Sequence, residues 1–283
     1  MKTIGKMMAL VAMTVVSVSC GPKNVNKTEE TTTEAKPKMI VLYYSQTSNT
    51  RTVAQEIAKR LEADIEEIVA VNPYDGDFNA TIQRSIEERE QGVTPEIQPL
   101  KADLSKYDVV FIGYPVWFGT YALPVITFLQ QTDLSGKKIV PFCTFGSGGL
   151  ESSTKGLIAA QPNAEVLEGY GVRAARLDAV PSELDFFLKA GGFIEGEYTP
   201  LMPFGETHPV SDEEAAVFDA AVGDYPMIHA KATEVALRDI PEGKEYLFTA
   251  VDLPREDREA AGEMKVYVTV SEGQAPVFTK VIR

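Results

Sequence analysis

Apolar and polar positions change places in blocks from Met39 onward. Residues 39–45 (MIVLYYS) are a continuous apolar, β-branched run, the pattern of a strand buried on both faces. Val53, Ala54, Ile57, Ala58 and Leu61 then recur at helical spacing and give one apolar face. Residues 64–71 (DIEEIVAV) read as a second strand, and Phe78, Ile82 and Ile86, four apart, as a second helix. Residues 109–117 (VVFIGYPVW) and 137–145 (KKIVPFCTF) are further buried strands. Between them 123–131 (LPVITFLQQ) predicts a helix with Pro124 in its first turn. A Gly-rich loop, a helix over 150–160 and a fifth strand over 164–174 (AEVLEGYGVRA) complete the series. Five strands alternating with helices predict an α/β fold: a parallel sheet with right-handed crossovers and helices on both faces.

The period changes near residue 200. Residues 199–209 are a Pro-rich connector. Residues 211–223 predict a helix with Ser211 as N-cap and Glu214 closing a capping box. Four strand-like stretches follow, over 232–240, 244–253, 263–272 and 276–283. In the third, Met264, Val266, Val268 and Val270 share one face while Lys265, Tyr267 and Thr269 share the other, the period of a half-exposed antiparallel strand. Residues 201–283 therefore predict a small α+β domain. It resembles cystatin-like modules, with PEGKEY (241–246) before an aromatic strand.

In an open parallel sheet, ligands sit beyond the carboxyl ends of the strands, where strand order reverses. Chemistry is expected in the loops after strands one, three and four. The first, Ser45-Gln46-Thr47-Ser48-Asn49-Thr50, puts four hydroxyls and two amides at a helix start, where free N–H groups and the helix dipole favour an anion. A capped helix start with no ligand is the plain alternative. The second, Gly113–Thr120, holds the only Trp, Trp117, beside Pro115, Val116, Phe118 and Gly119. Aromatic faces and close backbone approach suit a flat ring. Trp117 and Phe118 as ordinary core residues is the alternative there. The third, Thr144-Phe145-Gly146-Ser147-Gly148-Gly149, lets backbone N–H groups approach a ring edge, or makes a plain turn.

Taken together, the three loops resemble those of flavodoxins and flavodoxin-like NAD(P)H-dependent FMN oxidoreductases over roughly residues 38–175. SQTSNT is similar to the family's T-x-T-G-N-T phosphate loop, with Ser48 where the family carries Gly. Residues 113–119 are similar to its GYPVWWG-like stretch. The resemblance implies FMN as cofactor, its phosphate on Ser45, Gln46, Thr47, Ser48, Asn49 and Thr50. It implies a ring set between Pro115, Val116, Trp117, Phe118 and Gly119 on one side and Thr144, Phe145, Gly146, Gly148 and Gly149 on the other. It implies electrons passing from NAD(P)H to a quinone or other small acceptor, with the flavin supplying the chemistry and no catalytic side chain. Two other readings stay open: an electron carrier docking a redox partner protein, and an exported non-redox binding module. The second domain either covers the flavin or mediates a homodimer.

The N-terminus changes where this takes place. Lys2 and Lys6 precede an apolar run from Met7 to Val18, and Cys20 follows Ser19. That order over residues 1–20 reads as a secretory signal, and the run is too short for an ordinary membrane span. It resembles a bacterial lipoprotein signal, which implies a lipid on Cys20 and an exported chain held at a bacterial membrane, periplasmic or on the surface. A plain secretory signal is the alternative. Residues 21–37 carry almost no apolar side chains and read as a flexible tether.

The remaining composition mainly excludes. A formal net charge of −14 argues against nucleic acid or an anionic membrane surface as partner. Of the two cysteines, Cys20 is given to the lipid, so Cys143, in an apolar run, has no disulfide partner and reads as a small buried hydrophobe. Neither histidine, His208 or His229, has ligands at metal spacing.

Overall fold

The structure is a computed structural model that describes residues 36–74, 77–223, 225–241, 243–254 and 262–283. The expected signal, Cys20 included, and most of the expected tether lie outside the described residues.

The first part runs β1 (Met39–Tyr43), α1 (Asn49–Leu61), β2 (Asp64–Glu67), α2 (Phe78–Glu90), β3 (Val109–Trp117), β4 (Thr120–Tyr121), α3 (Leu123–Gln131), β5 (Lys138–Phe145), α4 (Glu151–Ala160), β6 (Glu165–Val166), β7 (Tyr170–Arg173) and α5 (Val180–Ala190). The parallel strands lie in the order β2-β1-β3-β5-β6, with β7 also on β5 and β4 folding back antiparallel on β3. Strand β1 has β2 on one side and β3 on the other, so strand order reverses there.

The continuous apolar runs have a direct physical cause. Ile40, Leu42, Val110, Ile112 and Ile139 pack on one side with Val125 and Phe128 of α3 and Leu157 of α4. Val41, Tyr43, Phe111, Val140 and Phe142 pack on the other with Val53, Ala54 and Ile57 of α1 and Leu184 and Leu188 of α5. Alternate residues serve opposite layers, so every position in the strand is apolar. Gly113 belongs to this core: a Cβ there would come within 2.1 Å of the Phe142 ring.

The fifth strand departs from expectation, because it is broken into β6 and β7. The Lys137 and Ile139 carbonyls accept from Glu165 N–H (2.9 Å) and Leu167 N–H (2.8 Å), so these alternate positions, one just before β5 and one within it, face the fifth strand. The next in that series is Pro141, which has no N–H to give. Pairing resumes at Phe142 opposite Tyr170. The hairpin β3–β4 and the helix α5 were not expected from the sequence. In α5, Val180, Leu184 and Leu188 form a buried stripe four apart.

The second part runs β8 (His208–Pro209), α6 (Asp212–Val222), β9 (Ala230–Ile240), β10 (Gly243–Asp252), β11 (Glu263–Ser271) and β12 (Val277–Ile282), an antiparallel sheet in the order β12-β11-β10-β9-β8. Ser211 and Glu214 form the capping box. Phe218 and Val222 of α6 cover Val235, Phe248, Met264, Val266 and Val268. The connector supplies an extra short strand, β8, beyond the four expected. Edge strand β12 lies beside β7 and the 146–149 loop, with Val281 N–H 3.4 Å from the Gly148 carbonyl.

Candidate functional site

Register brings the three loops to one sheet edge. Tyr43 pairs with Gly113, and Pro115 with Thr144, so β1, β3 and β5 end side by side. The Thr50 and Thr144 hydroxyls are 2.8 Å apart and buried. Trp117 meets Tyr44 edge to face, ring centroids 5.8 Å apart. Gly148 lies against Val116, 3.7 Å from where its Cβ would be.

The 45–50 loop is held from within. Ser48, the N-cap of α1, has a left-handed backbone (φ 67°) and no side-chain capping bond. Glycine would adopt this conformation without strain, and a serine there costs on the order of 1 kcal/mol. The cap is supplied by Ser45, whose hydroxyl oxygen accepts from Arg51 N–H (3.1 Å). Gln46 turns inward, accepting from the Tyr44 hydroxyl (2.7 Å) and donating to the Tyr74 carbonyl. Thr50 is also turned inward. Thr47, Ser48 and Asn49 remain, and no side-chain hydrogen bond engages them among the described residues. The Asn49 and Thr50 amides head α1 and have no intrahelical acceptor. Arg51 is occupied by Glu67 (2.9 Å), so the donors facing out of this loop are neutral.

The 115–120 loop is a hairpin tip. Trp117 is half-buried and packs edge to face on Tyr74 as well, centroids 5.1 Å apart. Arg84 stacks over the Tyr74 ring at 4.0 Å, and Glu88 accepts from both Arg84 and the Tyr74 hydroxyl. Burial pushes the Tyr44 and Tyr74 phenols upward in pKa, and the Glu88 hydrogen bond adds to the rise at Tyr74. Both therefore stay neutral. Phe118 (φ 51°) and Gly119 (φ 79°) are left-handed, and Phe118 is 50% exposed with the Arg89 guanidinium 4.7 Å from its ring centroid. A bulky residue at positive φ is costly backbone, held here at the tip.

The 144–149 stretch divides. Thr144 and Phe145 are buried, Phe145 in the layer with Tyr114 and Tyr121. Gly146 is exposed and Gly148 and Gly149 half-buried. Two aromatic neighbours, Tyr44 and Tyr74, were missed in the sequence. Tyr44 reads as part of the strand run over 39–45, and Tyr74 follows Pro73, an aromatic after a turn-forming residue being the available signal.

A family model described as flavodoxin matches residues 38–178. A protein of Bacteroides eggerthii DSM 20697 assigned as a flavoprotein is 31% identical, over 53% of this chain and 96% of its own, with a TM-score of 0.46. The chain belongs to the flavodoxin family. Also similar are a Bacteroides uniformis ATCC 8492 protein assigned as a flavoprotein (25% identity, 53% and 99% covered, TM-score 0.48) and a Lactobacillus acidophilus NCFM flavoprotein in complex with FMN (25% identity, 53% and 97% covered, TM-score 0.45). No curated protein matches. The flavodoxin match ends at residue 178, so α5 and the antiparallel sheet lie beyond it.

Cys143, on strand β5 of the flavodoxin domain, is buried, and burial pushes its thiol pKa far up, so it is inert. Among the described residues no three His, Cys, Asp or Glu side chains cluster as metal ligands, and no helix is long and apolar enough to cross a membrane.

Proposed function

We propose that this chain binds FMN at the 45–50, 115–120 and 146–149 loops and passes electrons from NAD(P)H to a quinone or other small acceptor. One observation carries the reading: Thr47, Ser48 and Asn49 stand uncommitted at a helix N-terminus, beside an aromatic hairpin tip. Neutral hydroxyl and amide donors fit a phosphate monoester, which the helix N-terminus favours electrostatically. Trp117 and Phe118 present aromatic surface to a flat ring. When bound, FMN supplies hydride acceptance and electron transfer. The protein would orient the bound group, and the N–H groups near Gly119 and Gly146–Gly149 would stabilise the negative charge it gains on reduction.

The test is the visible spectrum of the full chain after FMN addition and desalting. Retained flavin absorbance supports the reading, and no binding at saturating FMN sinks it. NAD(P)H oxidation with a quinone then decides between roles. Steady turnover supports the enzyme. Absence of turnover with fast reduction by a partner protein replaces it with an electron carrier.

The reading also holds that the chain is exported and anchored by a lipid on Cys20, on the strength of the basic, apolar and small-residue order of residues 1–20. Cys20→Ser should then move the protein from the membrane to the soluble fraction.

A further inference from the structure

We infer that the C-terminal sheet is part of the cofactor site, with Arg173 as the positioning residue that fixes the 146–149 loop; this rests on the FMN reading above. Arg173 ends β7, and its side chain crosses from one sheet to the other. Its Nε donates to the Gly146 carbonyl (2.7 Å) and its Nη1 to the Phe278 carbonyl (2.9 Å). The guanidinium lies over the Phe278 ring at 3.4 Å and near the Tyr225 ring at 5.2 Å. Arg173 is 8% exposed, and no carboxylate pairs with it among the described residues. Burying a guanidinium is costly unless its donors are used, and here they join one loop to the other sheet. Burial draws its pKa down, with the neighbouring Tyr225 opposing.

Three further ties reach the same loop. Val281 N–H approaches the Gly148 carbonyl, Lys280 pairs with Glu151 (2.7 Å) just past the loop, and the Tyr225 hydroxyl comes within 2.9 Å of where a Gly146 Cβ would stand. Gly148 of the loop also lies against Val116, next to Trp117. A stretch with three glycines in four residues has little conformational preference of its own. Clamping it beforehand removes the ordering cost from ligand binding. The buried positive charge behind it also favours the more electron-rich form of a ligand in front.

The experiment compares full-length wild type with Arg173→Met, Arg173→Lys and Lys280→Gln. It reads amide exchange of 146–149 without FMN, FMN affinity by fluorescence quenching, and the potential of bound FMN. Arg173→Met should speed exchange at 146–149 and weaken FMN binding, each about tenfold, with 45–50 exchange unchanged and the potential lowered. Arg173→Lys should restore the potential but not the loop, and Lys280→Gln should weaken binding about twofold. Lower thermal stability in Arg173→Met with loop exchange and FMN affinity unchanged would make Arg173 structural only and overturn the inference. If Arg173→Met does not fold, Tyr225→Phe with Lys280→Gln decides on the same readouts. A wild type that takes up no FMN overturns the cofactor reading, whereas FMN held equally by wild type and variants overturns only the inference drawn here.

Discussion

The 45–50 loop and the 146–149 loop border the same sheet edge and are held by different parts of the molecule. The first is fixed by its own neighbours: Ser45 caps α1, and Gln46 locks onto Tyr44 and Tyr74. Its outward donors are left free. The second has little internal support and is held by Arg173 and by residues of the antiparallel sheet. On the FMN reading, the anion-binding end would need only a helix start and hydroxyls, which a local stretch of chain supplies. The ring end would need a rigid wall, which residues such as Tyr225, Phe278 and Lys280 would brace.

The sharpest way to break this contrast is to damage one sheet alone. Phe248→Ala should destabilise the C-terminal sheet by about 3–5 kcal/mol, since the ring is fully buried among Phe218, Val266 and their neighbours. Amide exchange should rise in β9–β12 and at 146–149 while 45–50 stays protected. Equal loss of protection in both loops would show that they share one support.

Next in size is the converse. Thr47→Ala with Asn49→Ala should weaken FMN about 100-fold, from two hydrogen bonds to a charged phosphate worth about 1.5 kcal/mol each. The melting temperature should hardly move, because neither side chain makes a hydrogen bond among the described residues. Calorimetric titration against thermal melting separates the two quantities.

A smaller effect follows from pH. Burial raises the Glu151 carboxyl's pKa, but the Lys280 hydrogen bond and the local N–H groups outweigh it and hold the group below the usual carboxylate value. A depressed folded-state pKa gives stability that is complete above the unfolded value and lost as pH falls through the folded one. Protection at 146–149 should therefore decline in acid sooner than at 45–50, and Glu151→Gln should remove that difference.

The smallest change expected is a gain. Ser48→Gly should relieve the left-handed strain and stabilise the protein by about 0.5 kcal/mol, the strain relieved being partly offset by backbone entropy. Urea unfolding resolves this.

Much of the parallel sheet was legible because its strands are buried on both faces and so carry unbroken apolar runs. Helix α5 was legible in principle from Val180, Leu184 and Leu188 and from Pro181 in its first turn, the signal that Pro124 gives for α3. The break in the fifth strand depends on which neighbour Pro141 faces, a matter of register that local pattern does not contain. The loops were legible as polar or Gly-rich stretches at strand ends. Their internal division was not: Gln46 and Thr50 turn inward while Thr47 and Asn49 stay free, and only the positions of Tyr44, Tyr74 and Thr144 decide it. Arg173 could not be recognised from sequence, because its partner Phe278 is 105 residues away.

The docking of β12 has one more consequence. It is an outer strand, and an outer strand with free carbonyls is a template for pairing with another chain. Here Arg173 occupies the Phe278 carbonyl, and the Val281 amide is turned toward Gly148. The opposite border, β8, is two residues long and ends in Pro209, which cannot extend a ladder. The contacts from Arg173 and Gly148 thus cover this edge, and residues 201–283 produced without the parallel-sheet part should form strand-paired aggregates where the whole chain does not.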